Sequence, residues 1–234
     1  MTQVIAFRSY SSPERQLSKN ALKRSTRSGQ TKGNAPQHRG GDAARKAQRW
    51  GGGNKAGKEI DRFDAEDPLY LLCVDELTNE LKGAVRLLPT TGPNMLRDVF
   101  AVLVPDGAVE SPLIWESSRF ALNPMLSVGP DRQDANRMVN TTTIELLCGL
   151  VEAAQLAGVE HIVSVFDARM ARIFRAADCP YELIGAPTRI GKTMTYAGLF
   201  EISDAMRQRL GAAGGLHAPV LATSRPHFAK VYAR

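Results

Sequence analysis

Between positions 59 and 120 the sequence sets charged side chains among apolar ones. Glu59, Asp61 and Asp64 open the stretch. Arg86 stands inside Gly83-Ala84-Val85-Arg86-Leu87-Leu88, and Glu116 and Arg119 lie within Trp115-Glu116-Ser117-Ser118-Arg119-Phe120. Charges among apolar neighbours are costly unless paired. Asp or Glu can meet Arg86 or Arg119 across neighbouring strands in bidentate pairs. Such a lattice either ties strands together or recognises a substrate that carries both charges, such as an amino acid.

The elements that position these groups follow from local pattern. Residues 69–74 are an apolar run between Asp67-Pro68 and Asp75-Glu76, and 81–88 form a second strand joined to it by a turn at Thr78-Asn79. Pro89 ends that strand, Thr90-Thr91-Gly92-Pro93 is a loop, and Met95, Leu96, Val99 and Phe100 give a helical turn with one apolar side. Residues 113–121 are a third strand in which Trp115, Ser117 and Arg119 alternate with Glu116, Ser118 and Phe120. The second half alternates helix and strand. Asp134 caps a helix to about residue 157 with Met138, Ile144, Leu147, Leu150 and Val151 on its buried side. A strand at 161–166 follows, then a helix from an Asp167 cap to about residue 177. Strands come next near 181–183 and at 193–202, and a last helix runs from a Ser203 cap to about residue 210. Helices packed on a mixed, twisted sheet, an α/β fold, follow from this order.

The chain has 234 residues, 43% of them hydrophobic, enough for one large domain or a domain with an extension. No apolar run reaches the ~18 residues that suggest a membrane span, and the N-terminus lacks the apolar core of a secretory signal. Cys73, Cys148 and Cys179 are odd in number and widely spaced, and His38, His161, His217 and His227 share no ligand spacing, so neither a disulfide framework nor a metal site is expected. A reducing cytoplasm fits. Charge is unevenly distributed: residues 1–58 carry a balance of +11 and residues 59–234 a balance of −5. Within 1–58, residues 3–7 suit a short strand and 43–50 a short basic helix. The rest, with Gly40-Gly41 and Gly51-Gly52-Gly53, reads as poorly ordered. Such an arm can bind nucleic acid, but it lacks interleaved aromatics and any known motif, and no nucleic-acid partner is expected. The domain expectation is 1–58 as a basic lead, 59–210 as the functional domain and 211–234 as a tail.

Arg86-Leu87-Leu88-Pro89-Thr90-Thr91-Gly92-Pro93-Asn94-Met95-Leu96, then Asp98-Val99-Phe100, then Trp115-Glu116-Ser117-Ser118-Arg119-Phe120, resemble the LuxI-type autoinducer synthases, the acyl-homoserine-lactone synthases. Glu59, Asp61 and Asp64 match that family's acidic stretch and Trp50 its tryptophan. The resemblance covers roughly residues 50 to 205. It implies a three-layer αβα fold like that of the GCN5-related N-acyltransferases. It also implies S-adenosylmethionine as substrate rather than cofactor, and an acylated acyl carrier protein or acyl-CoA as donor. Glu116 would take the proton of the attacking amine, with Arg119 and Asp64 beside it in the catalytic set. Asp61, Asp64, Arg86 and Arg119 would form the ion-pair network of the adenosylmethionine pocket, with Glu59 in the same acidic stretch, Phe100 packed against that substrate and Trp50 closing it. Met138, Leu147, Val163 and Val165 would line the acyl tunnel. Phe166 stands where many members have a small or hydroxyl residue, so its ring would narrow the tunnel toward a short, branched or aromatic acyl group. Arg169, Arg172 and Arg175 recur every third residue and would dock an acidic carrier protein.

Two departures matter. Before Trp50 the family has amphipathic helices bearing an Arg and a Phe. Here Arg39 or Arg45 can stand for the Arg, but Ala43-Ala44 offer no Phe, which puts activity in question and leaves open a catalytically silent, ligand-binding relative. Gly185-Ala186-Pro187-Thr188-Arg189-Ile190-Gly191-Lys192-Thr193 mimics a phosphate-binding loop, but its first glycine is misplaced and it leads into a strand.

Overall fold

The structure, a computed structural model, describes residues 3–9, 53–55, 58–75, 78–105, 107, 109–123 and 141–221. In chain order its strands are β1 (Gln3–Ser9), β2 (Gly53–Lys55), β3 (Lys58–Ile60), β4 (Leu69–Asp75), β5 (Leu81–Pro89), β6 (Ile114–Leu122), β7 (His161–Asp167), β8 (Glu182–Leu183), β9 (Thr188–Ile190) and β10 (Thr193–Glu201). Its α-helices are α1 (Met95–Asp98), α2 (Thr141–Leu156), α3 (Ala168–Ala176) and α4 (Asp204–Gly214). The chain divides into two compact units, Met1–Ser9 with Ala65–Arg234, and Tyr10–Asp64.

In the larger unit the described strands form one sheet in the order β1-β4-β5-β6-β7-β10-β8, with β9 paired to β10. β1 runs parallel to β4 and β6 parallel to β7, while β4–β5, β5–β6 and β7–β10 are antiparallel. The expected mixed sheet is therefore present, and the short strand expected at residues 3–7 is an edge strand of it. The β4–β5 turn closes as its sequence suggests. The Asp75 Oδ1 accepts the Thr78 N–H at 3.0 Å, and Asn79 takes a φ of 57°, a conformation that asparagine tolerates.

Both faces of the sheet are covered. On one, Leu71, Val85, Leu87, Trp115 and Ile162 pack against Leu146, Leu150, Ala153 and Ala154 of α2. Beside them Phe166 and Phe200 pack with Ala171 and Phe174 of α3 and with Met206 and Leu210 of α4. On the other face, among the described residues, the layer is thin. Leu96 of α1, Phe100, and Leu103 of a 3-10 turn (Ala101–Leu103) cover Val163 and Ala197. The helix ends obey their caps: Asp167 accepts the Met170 N–H at 2.9 Å and Ser203 the Met206 N–H at 3.2 Å. α4 continues to Gly214, past the expected end at residue 210, and stops where Gly215 adopts a φ of 68°. Glu152 of α2 fixes the segment beyond. It pairs with Arg207 at 2.6 Å and accepts the Val220 and Leu221 N–H groups at 3.0 and 2.8 Å.

In the smaller unit β2 and β3 pair as an antiparallel hairpin. Asp61 follows, and its Oδ1 accepts the Phe63 N–H at 2.9 Å. The Asp64 carboxylate accepts the Asp61 N–H at 2.8 Å.

Candidate active site

Among the described residues of the larger unit, two of the buried charges, Arg86 and Glu116, lie on β5 and β6, and a third, Glu145, on α2. Arg86 pairs with Ser118 across the ladder, and its Nε donates to the Ser118 Oγ at 3.1 Å. Arg86 is 0% and Glu116 1% exposed. Glu116 points at the start of α1. Its Oε1 accepts the Leu96 N–H at 2.7 Å and its Oε2 the Met95 N–H at 3.1 Å. The first amides of a helix have no acceptor within it, so this carboxylate satisfies two of them. Burial pushes the Glu116 pKa up to about 7, while those two amide bonds and the Arg86 charge oppose the rise.

The loop that presents α1 is built from buried polar side chains. Thr90 donates its hydroxyl to the Ile114 carbonyl at 2.8 Å and accepts the Ser111 N–H at 3.1 Å. Asn94 caps α1 by accepting the Arg97 N–H at 2.9 Å, and its amide donates to the Gly92 carbonyl at 3.0 Å. Thr90 and Asn94 are each 1% exposed. Sequence reasoning gave neither a role, although a cap residue just before Met95-Leu96 is a readable signal.

Arg119 lies where β6 breaks its own alternation. Ala84 pairs with Ala121 and Arg86 with Ser118, so Arg119 and Phe120 together oppose Val85 in a β-bulge. Arg119 takes a φ of 54°, rare for a residue with a side chain and a mark of sites where strain is retained. The expected alternation placed Arg119 on the face of Trp115. The inserted residue instead returns Phe120 to that face, where it packs against the core containing Trp115. The parallel pairing of β6 with β7 runs from Ile114↔His161 to Ser117↔Ser164 and stops there. At that last pair the Ser164 hydroxyl donates to the Ser117 carbonyl at 3.0 Å. Beyond it lies a cavity of about 90 Å³ lined by Ser117, Ser118, Arg119 and Phe120 of β6 and by Ser164, Val165 and Phe166 of β7. Leu147, Leu150 and Val151 of α2 close it.

The structure sorts the other expected site residues. Leu147, Val165 and Phe166 line the cavity. Val163 does not: it is 0% exposed and packs on the opposite face with Leu96, Phe100 and Leu103, a face it shares with Val165, which meets the cavity just beyond the last β6–β7 pair. Phe100 is buried in that same cluster. Arg169, Arg172 and Arg175 are all exposed along α3, whose Ala171 and Phe174 are buried. Trp50 and Met138 lie outside the described residues, as does the side chain of Glu59, whose backbone belongs to β3. Asp61 and Asp64 are half-buried and joined by the Asp61 N–H bond given above. The phosphate-loop mimic is a hairpin: β9 and β10 meet at Gly191, φ 62°.

A sheet whose parallel pair parts midway, with an apolar hollow beneath the parting and helices on both faces, is the GCN5-related N-acyltransferase type of fold. The chain belongs to the autoinducer synthase family, whose model matches residues 46–210. It is 37% identical over 145 residues to the acyl-homoserine-lactone synthase of Agrobacterium fabrum (strain C58), covering 61% of this chain and 66% of that protein. To the synthase of Rhizobium etli it is 39% identical over 148 residues, covering 62% and 65%. The match thus spans just under two thirds of these relatives' length. Among solved structures it is similar to the synthase LasI, with 27% identity and a TM-score of 0.59 over 76% of this chain and 87% of that one. It is also similar to TofI in complex with an inhibitor and MTA, with 30% identity and a TM-score of 0.55 over 73% and 80%. BjaI, a CoA-dependent synthase solved with SAM and isopentyl-CoA, shares the fold at 24% identity and a TM-score of 0.62 over 76% and 77%.

Proposed function

We propose that this protein is an acyl-homoserine-lactone synthase that acylates S-adenosylmethionine from a thioester donor and closes the lactone. The observation that carries the reading is the parting of β6 and β7 at Ser117↔Ser164. There Arg119 and the strand of Glu116 meet an apolar cavity large enough for a short acyl chain. In this reading the acyl chain lies in the cavity under α2, with its thioester carbonyl at the parting. Main-chain N–H groups of strands that no longer pair there are the donors that a tetrahedral oxyanion requires.

In the first step the methionine amine attacks the thioester carbonyl. The N–C bond forms, the C–S bond breaks, and the thiolate of carrier protein or CoA leaves, to be protonated by the proton that the base has taken from the amine. Glu116 accepts the amine proton through water, since its carboxyl is buried, and a pKa of about 7 suits a base working near neutrality. In the second step the substrate's own carboxylate attacks its γ-carbon, the C–S bond of the sulfonium breaks, and methylthioadenosine leaves neutral. The protein's task in that step is to hold carboxylate and carbon in line. Arg119 suits the substrate carboxylate, and Glu59, Asp61 and Asp64 keep the roles that the resemblance implies. Arg86 braces β6 through Ser118, and Phe100 and Trp50 keep the packing roles that the resemblance implies. The exposed arginines of α3 suit an acidic carrier. Cytoplasmic residence fits three buried free thiols, with Cys148 and Cys179 pushed up to about 12 by burial, and no described helix long and apolar enough to cross a membrane.

Incubation with S-adenosylmethionine and a panel of acyl thioesters tests the reading: methylthioadenosine and an acylated homoserine lactone form together. A folded protein that releases neither from any donor removes the proposal.

A further inference from the structure

The cavity at the parting of β6 and β7 is walled on one side by a set of packed rings, with Met170, Cys179, Met206 and Leu210 also lining it. Ile162, Ser164 and Phe166 share the cavity face of β7, and Phe166 is the last and largest of them. Its ring meets Phe174 of α3 edge-on at 5.0 Å, meets Tyr181 edge-on at 5.0 Å, and stacks on Tyr196 of β10 at 5.8 Å with 12° between the planes. Phe174 and Tyr181 are also in contact with Phe200, at 4.9 and 5.4 Å. A ring held on several sides does not swing away at little cost. Beneath it lies Gly198. A Cβ built there would stand 2.8 Å from the Phe166 Cε1, 3.1 Å from its Cζ and 3.1 Å from the Tyr181 Cδ2. Glycine at 198 is therefore what lets the Phe166 ring lie back against β10 rather than tip into the hollow.

We infer that Phe166, seated on Gly198, sets the acyl selectivity of this site and restricts it to short chains, straight or branched near the carbonyl. The inference rests on the synthase reading. A hollow of about 90 Å³ is smaller than the ~150 Å³ cavity that accepts benzene, so short acyl groups fit it better than aromatic groups or long straight chains. Phe166 is the selecting residue, and Gly198 is a positioning residue that acts only through the ring.

The experiment compares kcat/KM for butanoyl, 3-methylbutanoyl, octanoyl and dodecanoyl thioesters, on CoA and on carrier protein, in wild type, F166A, F166L, G198A and F166A/G198A. Wild type uses the two short donors best. F166A shifts the octanoyl-to-butanoyl ratio upward by at least ~10²-fold, the upper range for a changed hydrophobic pocket, and F166L shifts it part of the way. G198A raises KM for 3-methylbutanoyl by ~10-fold and spares butanoyl, and the F166A background abolishes that penalty, a coupling that a merely structural glycine would not show. Long-chain preference in wild type overturns the inference, as does an unchanged profile in folded F166A and F166L, or additive effects in the double variant. Absence of methylthioadenosine from every donor overturns the synthase reading instead. The size limit is then judged by which N-acyl-homoserine lactones raise the melting temperature of each variant, with short chains expected for wild type and longer ones for F166A.

Discussion

The Glu116 carboxylate, on β6, holds the amide of Leu96, twenty residues earlier in the chain, at 2.7 Å. The same group that the synthase reading needs as a base therefore fixes the start of α1. Replacing it by glutamine leaves one oxygen to accept and puts an NH₂ against an N–H. Loss of an acceptor for a buried amide destabilises by roughly 1–3 kcal/mol, measurable by urea titration. Turnover falls by at least ~10²-fold, the scale of a lost acid–base group. A variant that is less stable but turns over normally would confine Glu116 to the structural task.

The Glu116 carboxyl, raised by burial from 4.5 to about 7, carries two pH signatures of opposite sense. As a base it must be ionised, so kcat rises with pH through about 7 in the wild type, and that limb is absent from E116Q. For stability the folded state binds the proton more tightly than the unfolded state. This group's contribution is therefore complete below about 4.5 and is lost as pH rises through about 7. Melting temperatures of wild type and E116Q across that window should converge or cross rather than run parallel.

Arg119 bears a left-handed φ of 54° within the bulge. R119A and R119G both remove the guanidinium, and each lowers turnover by at least ~10²-fold if Arg119 positions the substrate. They part in stability. Glycine adopts positive φ without the ~1–2 kcal/mol that other residues incur, so R119G is the more stable of the two by about 1 kcal/mol. Equal stabilities would mean that the backbone there carries no strain.

Gly185 approaches the 3-10 turn so closely that a Cβ on it would lie 1.8 Å from the Leu103 carbonyl oxygen. G185A must move one backbone segment off the other, which costs about 1–3 kcal/mol and loosens the layer carrying Leu96 and Phe100. Denaturant titration reads the loss, and an unchanged midpoint would show that the loop yields freely.

Charge reversal at Arg169, Arg172 and Arg175, all exposed on α3, tests the carrier surface. KM for a carrier-linked donor rises by ~10-fold at low salt and the salt dependence of association flattens, while folding is unaffected. No change in KM at low salt would place the carrier elsewhere.

Much of this fold was legible because its signals are local. Apolar runs bounded by Asp-Pro and Asp-Glu give β4, and Asp167 and Ser203 cap the helices they precede. The long motif from Arg86 to Phe120 leads to the family. What stayed hidden is non-local or degenerate. Val163 and Phe166 are both apolar, and a strand buried on both faces does not announce which residue looks into the hollow. A bulge adds one residue without altering composition, so Arg119 and Phe120 exchange faces with no mark in the pattern. The Glu116–Leu96 bond and the Lys82–Glu145 pair at 2.9 Å join residues far apart in sequence, which periodicity does not connect. β9 is three residues long, inside a stretch whose glycines read as loop.

The central claim is the coupled chemistry at the parting of β6 and β7. Its most direct test is quantification of methylthioadenosine when the full chain meets S-adenosylmethionine and 3-methylbutanoyl or butanoyl thioester. The account predicts methylthioadenosine and acyl-homoserine lactone in equal amounts, with both lost in E116Q and R119A. Methylthioadenosine without lactone, or neither product from a folded protein on either CoA- or carrier-bound donors, would contradict it.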